Sequence, residues 1–302
     1  MLVEHRSLVV GLCLLFAHNM LTGWQDVYRA VAFRKLDVFF LTFIAFLIVI
    51  ATFEVCFRIS GGESRLRWRT VISLNLWTAG SWGALFLSIW LIPPALAAAI
   101  ATSLCPIFTY LVNRRLRPSS PASLRDIAIC LAALAITAFL SWATIASDAG
   151  KGANGLVLWG IFLAVAAAFS DAFMTVSMKA CYDRKVSGSE LLARRFYLLT
   201  GLAFTGALVR GAFSVSTEEL MSGASLAFLG VIPATLLLQR SLKHIEPVLF
   251  EIVLATAPAF VLAFQFTHSA LTPSTPAIVG VVLVIGLSLV QIYHSFFGAR
   301  HA

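Results

Sequence analysis

The chain has 302 residues, of which 60% are hydrophobic and only 12% are charged, and its formal net charge is +8. A soluble protein of this length would be about a quarter charged, so the composition excludes a water-soluble enzyme or binding domain. The mean hydropathy of +0.91 predicts a polytopic membrane protein, since a single anchor could not raise the average so far.

Ten apolar stretches are long enough to cross a membrane as helices, because about 20 apolar residues span roughly 30 Å of hydrocarbon. The linkers are short, so no soluble domain fits between them. A barrel would need segments that alternate in polarity, and these do not alternate. The predicted fold is therefore an all-α polytopic membrane protein with ten transmembrane helices. The predicted spans are 7–26, 37–57, 70–91, 94–112, 125–146, 155–178, 189–210, 223–240, 247–267 and 275–296.

The first span carries a polar stripe made of His18, Asn19, Thr22, Gln25 and Asp26. At 100° per residue, all five fall within an arc of about 120°. A lipid-facing helix would not keep five such groups on one side, so we expect this face to line a cavity. The alternative is that they hydrogen-bond neighbouring helices. Histidine is the side chain whose unperturbed pKa lies nearest neutrality, so His18 is a candidate for proton coupling; the alternative is a structural core histidine.

The third span places Asn75, Thr78 and Trp82 on one face. Trp82 has the chemistry to stack on a substrate or a cation. In the fourth span, Pro106 removes a backbone donor in mid-helix and permits a kink. We therefore expect a cavity wall in the third span and a gating hinge in the fourth.

Asp171 lies well inside the sixth span, with Thr175 on the same helix face. An ionisable group at the centre of a span costs about 2.5–3.5 kcal/mol on insertion scales, so it is a functional candidate by default. The alternative is a structural ion pair with Arg194 or Arg195. Arg194, near the start of the seventh span, could take a substrate carboxylate in a bidentate fork or serve as an interfacial positive charge.

The eighth and ninth spans add Gln239, Glu251 and Pro258. Glu251 lies about one turn into the ninth span, where it would face an inner vestibule and exchange a proton or bind an amine. The alternative is that its side chain extends to the membrane interface. Pro258 lies in mid-helix, as Pro106 does, and is the second predicted gating hinge.

The basic residues are distributed as the positive-inside rule requires if the amino terminus is cytoplasmic. This explains the net charge without a nucleic-acid partner. It predicts a multi-pass protein of the inner (cytoplasmic) membrane with both termini in the cytoplasm. The five basic residues that would face outward, of 22 in all, are Arg29, Arg34, Lys35, Lys151 and Arg210.

The sequence repeats weakly at an offset of about 152 positions, which places Asn19 on Asp171 and Pro106 on Pro258. The predicted units are 1–150 and 151–302, each with five spans. Because five is odd, the second unit enters the membrane from the opposite side. Inverted repeats of this kind build several secondary transporters, with the substrate site between the repeats.

Two proline-containing segments, "PALAAAIATSLCPIFTYLV" (94–112) and "PVLFEIVLATAPAFVLAF" (247–264), carry a resemblance to a known family. Together with "ELLARRFYL" at the start of the seventh span, they resemble the EamA-like branch of the drug/metabolite transporter (DMT) superfamily. The resemblance implies that spans 1–4 and 6–9 enclose a cavity. It also implies that spans five and ten are outer supports and frequent contacts between protomers, so a homodimer through them is expected.

Signatures of enzymes and of resident cofactors are absent from the sequence. There is no P-loop and no G-x-S-x-G motif, and the five cysteines form no CxxC pair. We therefore expect no catalysis, no cofactor and no metal site.

The sequence predicts a secondary active transporter that works by alternating access on a small polar or zwitterionic metabolite, such as an amino acid, an amine or a drug-like compound. The family resemblance implies export, and the ionisable groups favour protons as the coupling ion. One alternative is a lipid or lipid-linked carrier flippase on the same scaffold, which would open laterally to the bilayer. The other is a membrane enzyme or assembly partner. The predicted binding residues are His18, Asn19, Thr22, Gln25, Asn75, Thr78, Trp82, Asp171, Thr175, Arg194, Gln239 and Glu251.

Overall fold

The computed structural model describes residues 2–61, 64–116, 154–213, 216–268 and 275–297, together with isolated helical residues between 128 and 142. Every regular element within these ranges is helical. The first half contains α1 (Leu2–Ala32), α2 (Val38–Ile59), α3 (Trp68–Thr78), α4 (Ala84–Leu91) and α5 (Pro94–Leu116). The second half contains α6 (Asn154–Asp183), α7 (Gly188–Arg194), α8 (Tyr197–Val209), α9 (Thr217–Ser225), α10 (Ile232–Leu242), α11 (Pro247–Leu254), α12 (Ala257–Phe266) and α13 (Thr275–Phe297).

Seven helical segments in the described residues are long and apolar enough to cross a membrane. They match predicted spans one, two, four, six, seven, eight and nine. The third predicted span is the helical run α3–α4, and the tenth lies on α13. The fifth, 125–146, lies almost wholly outside the described residues, so the count of ten stays a prediction. The seven segments are Ser7–Ala32, Val38–Ile59, Pro94–Leu116, Gly155–Asp183, Gly188–Val209, Thr217–Leu242 and Pro247–Phe266.

Helix α1 extends further than its predicted end at residue 26, and this changes the position of Arg29. The helix continues to Ala32, and Arg29 is only 1% exposed. Its Nη1 lies 2.8 Å from Oδ1 of Asp26 on the same helix. Arg29 therefore lies inside the bundle and not in a loop, and the side of the membrane that it is nearer stays a prediction. The predicted span ends at its first carboxylate, Asp26, whereas in the structure an ion pair lets both charges stay inside the bundle.

Both halves contain a π-helical turn within a long apolar run. Ala79–Gly83 joins α3 to α4, and Leu226–Val231 joins α9 to α10. Such turns bulge the helix and occur frequently at functional sites. The first of them carries Ser81 and Trp82, which both line a cavity in the bundle.

Two predicted spans are broken into pairs of helices. The seventh changes from α7 to α8 at Arg195 and Phe196, and the ninth changes from α11 to α12 at Ala255 and Thr256. Pro258 is the second residue of α12, directly after the break. Pro106 lies inside α5, which is continuous. The two prolines therefore occupy different local structures, and their role as gating hinges stays a prediction.

Polar side chains fix the starts of helices at the ends of the bundle. Asp37 precedes α2, and its Oδ1 accepts hydrogen bonds from the backbone N–H groups of Phe39 and Phe40, each at 3.0 Å. Ser216 and Glu219 form a reciprocal capping box at the start of α9. These bonds satisfy donors that would otherwise be free at a helix N-terminus.

The bundle is closely packed inside and apolar outside. Helix α5 packs along α6 and against α11 and α12, while α1 packs between α10 and α12. The exposed surface carries large apolar side chains, such as Ile59 (81% exposed) and Val209 (83% exposed). A surface of this kind suits a protein whose solvent is lipid.

Candidate functional site

A cavity lies among α1, the first π-helical turn, α4, α5, α6, α10, α11 and the start of α12. Its volume, measured as the space open to the centres of water molecules, is about 110 Å³. One water needs about 10–15 Å³ on that measure, so the cavity has room for several waters or a small solute. It is lined by His18, Thr22, Asp26, Arg29, Ser81, Trp82, Leu85, Ala98, Ala101, Thr102, Cys105, Ala167, Ala168, Asp171, Met174, Leu238, Glu251, Leu254 and Ala257.

One part of the cavity wall is acidic. Ligand atoms of Cys105, Asp171 and Glu251 lie within 4.8 Å of one another, and we call these three residues the carboxylate cluster. The Ser81 hydroxyl donates to Oδ1 of Asp171 at 3.0 Å, and the Cys105 thiol donates to Oδ2 at 3.6 Å. A thiol and two carboxylates are also groups that metals bind. Here the thiol donates its hydrogen bond to Asp171, and we assign no metal to the site.

Glu251 is fully buried. Neither of its carboxylate oxygens has a hydrogen-bond partner among the described residues. The alternative that its side chain extends to the membrane interface is therefore wrong. A buried carboxylate without a donor is costly, so this group is available for a proton or for a ligand.

A second part of the wall carries an ion pair on α1. Asp26 accepts one hydrogen bond from Nη1 of Arg29. The Arg29 guanidinium carbon lies 3.9 Å from the centroid of the Phe86 ring and 5.6 Å from that of Trp82. Nε and Nη2 of Arg29 have no hydrogen-bond partner in the part of the chain that the structure describes. The aromatic rings thus hold a guanidinium that still has donors to offer.

His18 contributes an imidazole to the same wall. Its Nδ1 lies 2.9 Å from the carbonyl oxygen of Ala234, so Nδ1 must carry a proton because a carbonyl can only accept. In the neutral ring this leaves Nε2 as an acceptor, and Thr22 Oγ1 lies 3.2 Å from it. His18 is 6% exposed, which places it inside the bundle.

The structure brings five of the predicted binding residues to the cavity wall: His18, Thr22, Trp82, Asp171 and Glu251. Their part in binding stays a prediction. Trp82 was expected to stack on a substrate or a cation, and the cation over its ring is the protein's own Arg29.

Two predicted asparagines bond backbone groups instead of facing the cavity. Asn19 Nδ2 donates to the carbonyl oxygen of Val253 and to Thr256 Oγ1, both at 2.9 Å. Asn75 Nδ2 donates to the carbonyl oxygen of Arg194 at 2.6 Å, and its Oδ1 accepts from the N–H of Leu198 at 3.0 Å. Each asparagine therefore acts at the break of a paired helix.

Four further predicted residues are buried between helices. The Thr78 hydroxyl contacts the sulfur of Met174 at 3.5 Å, and Gln239 accepts a hydrogen bond from the Tyr182 hydroxyl. Gln25 and Thr175 are also buried. For Thr78 and Gln239 this is the helix-pairing alternative that the sequence left open for polar residues in a bundle, whereas both polar side-chain atoms of Gln25 lack a hydrogen-bond partner among the described residues.

The two neighbouring arginines of the seventh span have different surroundings. Arg194 is partly exposed, and its Nη1 lies 3.1 Å from Oε1 of Glu54, away from the cavity. Arg195 is fully buried, with Nη1 2.8 Å from the sulfur of Met178. Within the described residues neither forms a direct ion pair with Asp171, although Arg195 interacts with it electrostatically.

Sequence reasoning missed Arg29, Ser81 and Cys105 as wall residues. The signal for Arg29 was present: together with His18 and Thr22 it follows a helical spacing of four, then seven residues along one face. The signal was lost because the first span was ended too early. Ser81 and Cys105 carry no such signal, since serine and cysteine are common in membrane helices.

Comparison with known proteins gives a family and a fold. Residues 158–291 match the model of the EamA-like transporter family. No curated protein matches the sequence. One solved structure, described only as "Crystal structure of protein", is similar over 93% of this chain and 95% of its own, with a TM-score of 0.66 at 18% identity. That likeness concerns the fold alone. Residues 158–291 therefore form an EamA-like transporter domain of the DMT superfamily, in a multi-pass membrane protein.

Proposed function

We propose that the protein is a secondary active transporter that exports a small polar or zwitterionic metabolite by alternating access. The observation that carries the proposal is a cavity, enclosed by an apolar bundle, whose wall holds carboxylates and a guanidinium. Ionisable groups inside a membrane are costly and mark substrate or ion pathways. Members of the EamA-like family are transporters and not enzymes, which supports the same conclusion.

The alternating movement would come from two five-helix units, 1–150 and 151–302, in inverted orientation. The π-helical turn in the third apolar run of each half supports this division. The break between α11 and α12, beside the cavity residues Leu254 and Ala257, offers a place for the bundle to bend.

Protons are the proposed coupling ion. Two ionised carboxylates so close together in an apolar interior repel each other strongly, so Asp171 and Glu251 favour holding one proton between them. A cationic substrate group that displaces this proton would couple the two movements. His18, on the same wall, is the remaining candidate for proton exchange. The other charged groups of the wall, Asp26 and Arg29, form an ion pair through a single contact, and they are not proposed to exchange protons.

The proposed location is the inner membrane, with both termini in the cytoplasm. A homodimer through predicted spans five and ten is part of the proposal. On α13, Val282, Leu289 and Tyr293 are exposed, which suits contact with lipid or with a second protomer. Predicted span five lies almost wholly outside the described residues.

The test is transport by the full chain in proteoliposomes, across a panel of amino acids, amines and small drug-like compounds. We expect at least one compound to cross faster than in empty liposomes, and a transmembrane pH gradient to drive its accumulation. Equal rates in both kinds of liposome for the whole panel would overturn the proposal. A fluorescent-lipid scrambling assay in the same liposomes would reveal a flippase instead.

A further inference from the structure

Arg29 is a buried cation that its ion pair leaves unsatisfied. The Asp26 carboxylate engages only Nη1, through one oxygen. Nε and Nη2 of Arg29, on a side chain 1% exposed, have no hydrogen-bond partner among the described residues, and Arg29 lines the cavity. A guanidinium presents its donors as a planar fork that matches a carboxylate, so these two nitrogens suit a bidentate anion.

The fork is held in place before any ligand arrives. The guanidinium carbon lies 3.9 Å from the Phe86 ring centroid. Phe86 is itself packed against Trp82 and Phe46, with ring centroids 5.9 Å apart in each pair. A side chain fixed in this way loses little freedom on binding, which favours affinity.

The carboxylate cluster lies at a different level of the cavity. Asp171 is hydrogen-bonded to Ser81, whereas Arg29 stacks on Phe86, five residues further along the same helical run. Ser81 lies in the π-helical turn and Phe86 in α4, so this five-residue step advances by at most about 7.5 Å along the run. The cavity therefore offers anionic acceptors and a cationic donor fork on different turns, which suits a small zwitterion that hydrogen-bonds at both ends.

Much of the remaining wall is apolar. Leu85, Met174 and Leu254 line it together with several alanines, beside the hydroxyl groups of Thr22 and Thr102. It suits an aliphatic or aromatic side chain. A ligand with an ammonium, a carboxylate and an apolar substituent would use all three parts of the cavity.

We propose that Arg29 binds the carboxylate of an amino-acid substrate, whose ammonium group lies at Asp171 and Glu251. This inference rests on the proposed transport function and names its substrate class. It assigns the anion-binding role to Arg29, since Arg194 pairs with Glu54 outside the cavity. A simple amine or a simple carboxylic acid fills only one end of this site.

The experiment is a thermal-unfolding measurement on the purified full chain in detergent. The probes are an equimolar mixture of the twenty standard amino acids and the matching mixture of amino-acid amides, which keep the ammonium and lack the carboxylate. A ligand that prefers the native state raises the midpoint. We expect the amino acids to raise the unfolding midpoint and the amides to leave it nearly unchanged.

The decisive variant is the double substitution D26N/R29Q, which removes both charges together and leaves no unpaired buried ion. We expect it to fold and to lose its response to amino acids. The matched control is D37N/R210Q, which removes an aspartate–arginine pair (2.7 Å) away from the cavity. We expect this control to respond as the wild type does.

Three results would overturn the inference: equal stabilisation by amides and amino acids, an undiminished response in D26N/R29Q, or no response of the wild type to either mixture. Transport of an amine or another compound in proteoliposomes would leave the proposed function standing in each case. Conversely, stabilisation by amino acids without any flux would support the binding site and overturn the transport proposal.

Discussion

Asn75 on α3 donates a hydrogen bond of 2.6 Å to the carbonyl oxygen of Arg194, the last residue of α7. The same side chain accepts from the N–H of Leu198, on the far side of the helix break. A break inside a membrane bundle exposes backbone groups that have no water to bond, and one amide side chain can satisfy both a donor and an acceptor. Asn75 therefore stabilises the interruption between α7 and α8 by hydrogen-bonding backbone groups on both sides of it.

Asn75→Ala should destabilise the protein by about 1–3 kcal/mol, the usual consequence of leaving a buried polar group without its partner. The measurement is unfolding in mixed micelles, monitored by tryptophan fluorescence. Asn75→Asp serves as the internal comparison, because it keeps the acceptor for Leu198 and loses the donor to Arg194. If the alanine variant unfolds at the same point as the wild type, the two hydrogen bonds do not stabilise the break.

Gly23 is a point of close contact between α1 and α12. A Cβ atom at this position would lie 2.7 Å from Cβ of Phe260 and 2.8 Å from the backbone nitrogen of Val261. Backbone atoms cannot move aside easily, so Gly23→Ala should destabilise the bundle by about 1–3 kcal/mol through overpacking. Thermal unfolding in detergent measures this effect.

The control for Gly23→Ala is Gly201→Ala on α8. Nothing lies within 4 Å of a Cβ atom added at Gly201, and alanine is favoured over glycine in a helix by up to about 1 kcal/mol. We expect Gly201→Ala to unfold at the wild-type temperature or slightly above it. If both variants lost the same amount of stability, contact between residue 23 and α12 would not be the cause of the loss in Gly23→Ala.

The helical class and most of the spans could be predicted from hydropathy. Apolar side chains are unfavourable in water, and backbone groups without hydrogen bonds are unfavourable in lipid, wherever they occur in the chain. The interruptions of the helices could not be predicted in this way. The π-helical turn at Ala79–Gly83 and the change from α7 to α8 depend on which neighbour supplies a partner. Asn75 supplies it in one case, and its distance of over 100 residues in the chain hides the relationship from local patterns.

The candidate site could be predicted only in part, for a related reason. The polar stripe on α1 lies largely inside the bundle, and two of its residues, His18 and Thr22, line the cavity. Helical periodicity does not tell a side chain that faces a cavity from one that faces a neighbouring helix. Asn19 follows the same stripe and bonds the backbone of α11 instead.

Neutralising Glu251 should separate exchange from coupled transport. Glu251→Gln removes a group that can release a proton but leaves the Asp171 carboxylate to hold the ammonium group, so substrate exchange across the membrane should persist. Accumulation driven by a pH gradient should fall at least about tenfold, the factor that corresponds to 1.4 kcal/mol. The measurement compares counterflow with gradient-driven uptake in the same proteoliposomes.

Asp171→Asn should lower both exchange and gradient-driven transport, because it removes the charge that faces the substrate while retaining an acceptor for Ser81. The control is Glu219→Gln, an exposed carboxylate in the capping box of α9, which should leave both rates unchanged. For the Glu251→Gln variant described above, accumulation equal to that of the wild type under a pH gradient would exclude Glu251 from proton coupling.

The two prolines occupy equivalent positions in the sequence repeat but different local structures. Pro258 follows the break between α11 and α12, whereas Pro106 lies in the continuous helix α5. Pro258→Ala restores an N–H that can bond the carbonyl oxygen of Leu254 and straighten the helix, a gain of about 0.5–1.5 kcal/mol for one conformation. Turnover in proteoliposomes should therefore slow by up to about tenfold, with amino-acid binding, measured by thermal shift, retained. Pro106→Ala should slow turnover less, because α5 already continues through that position. If Pro106→Ala is the slower variant, movement at α5 rather than at the α11–α12 break limits transport.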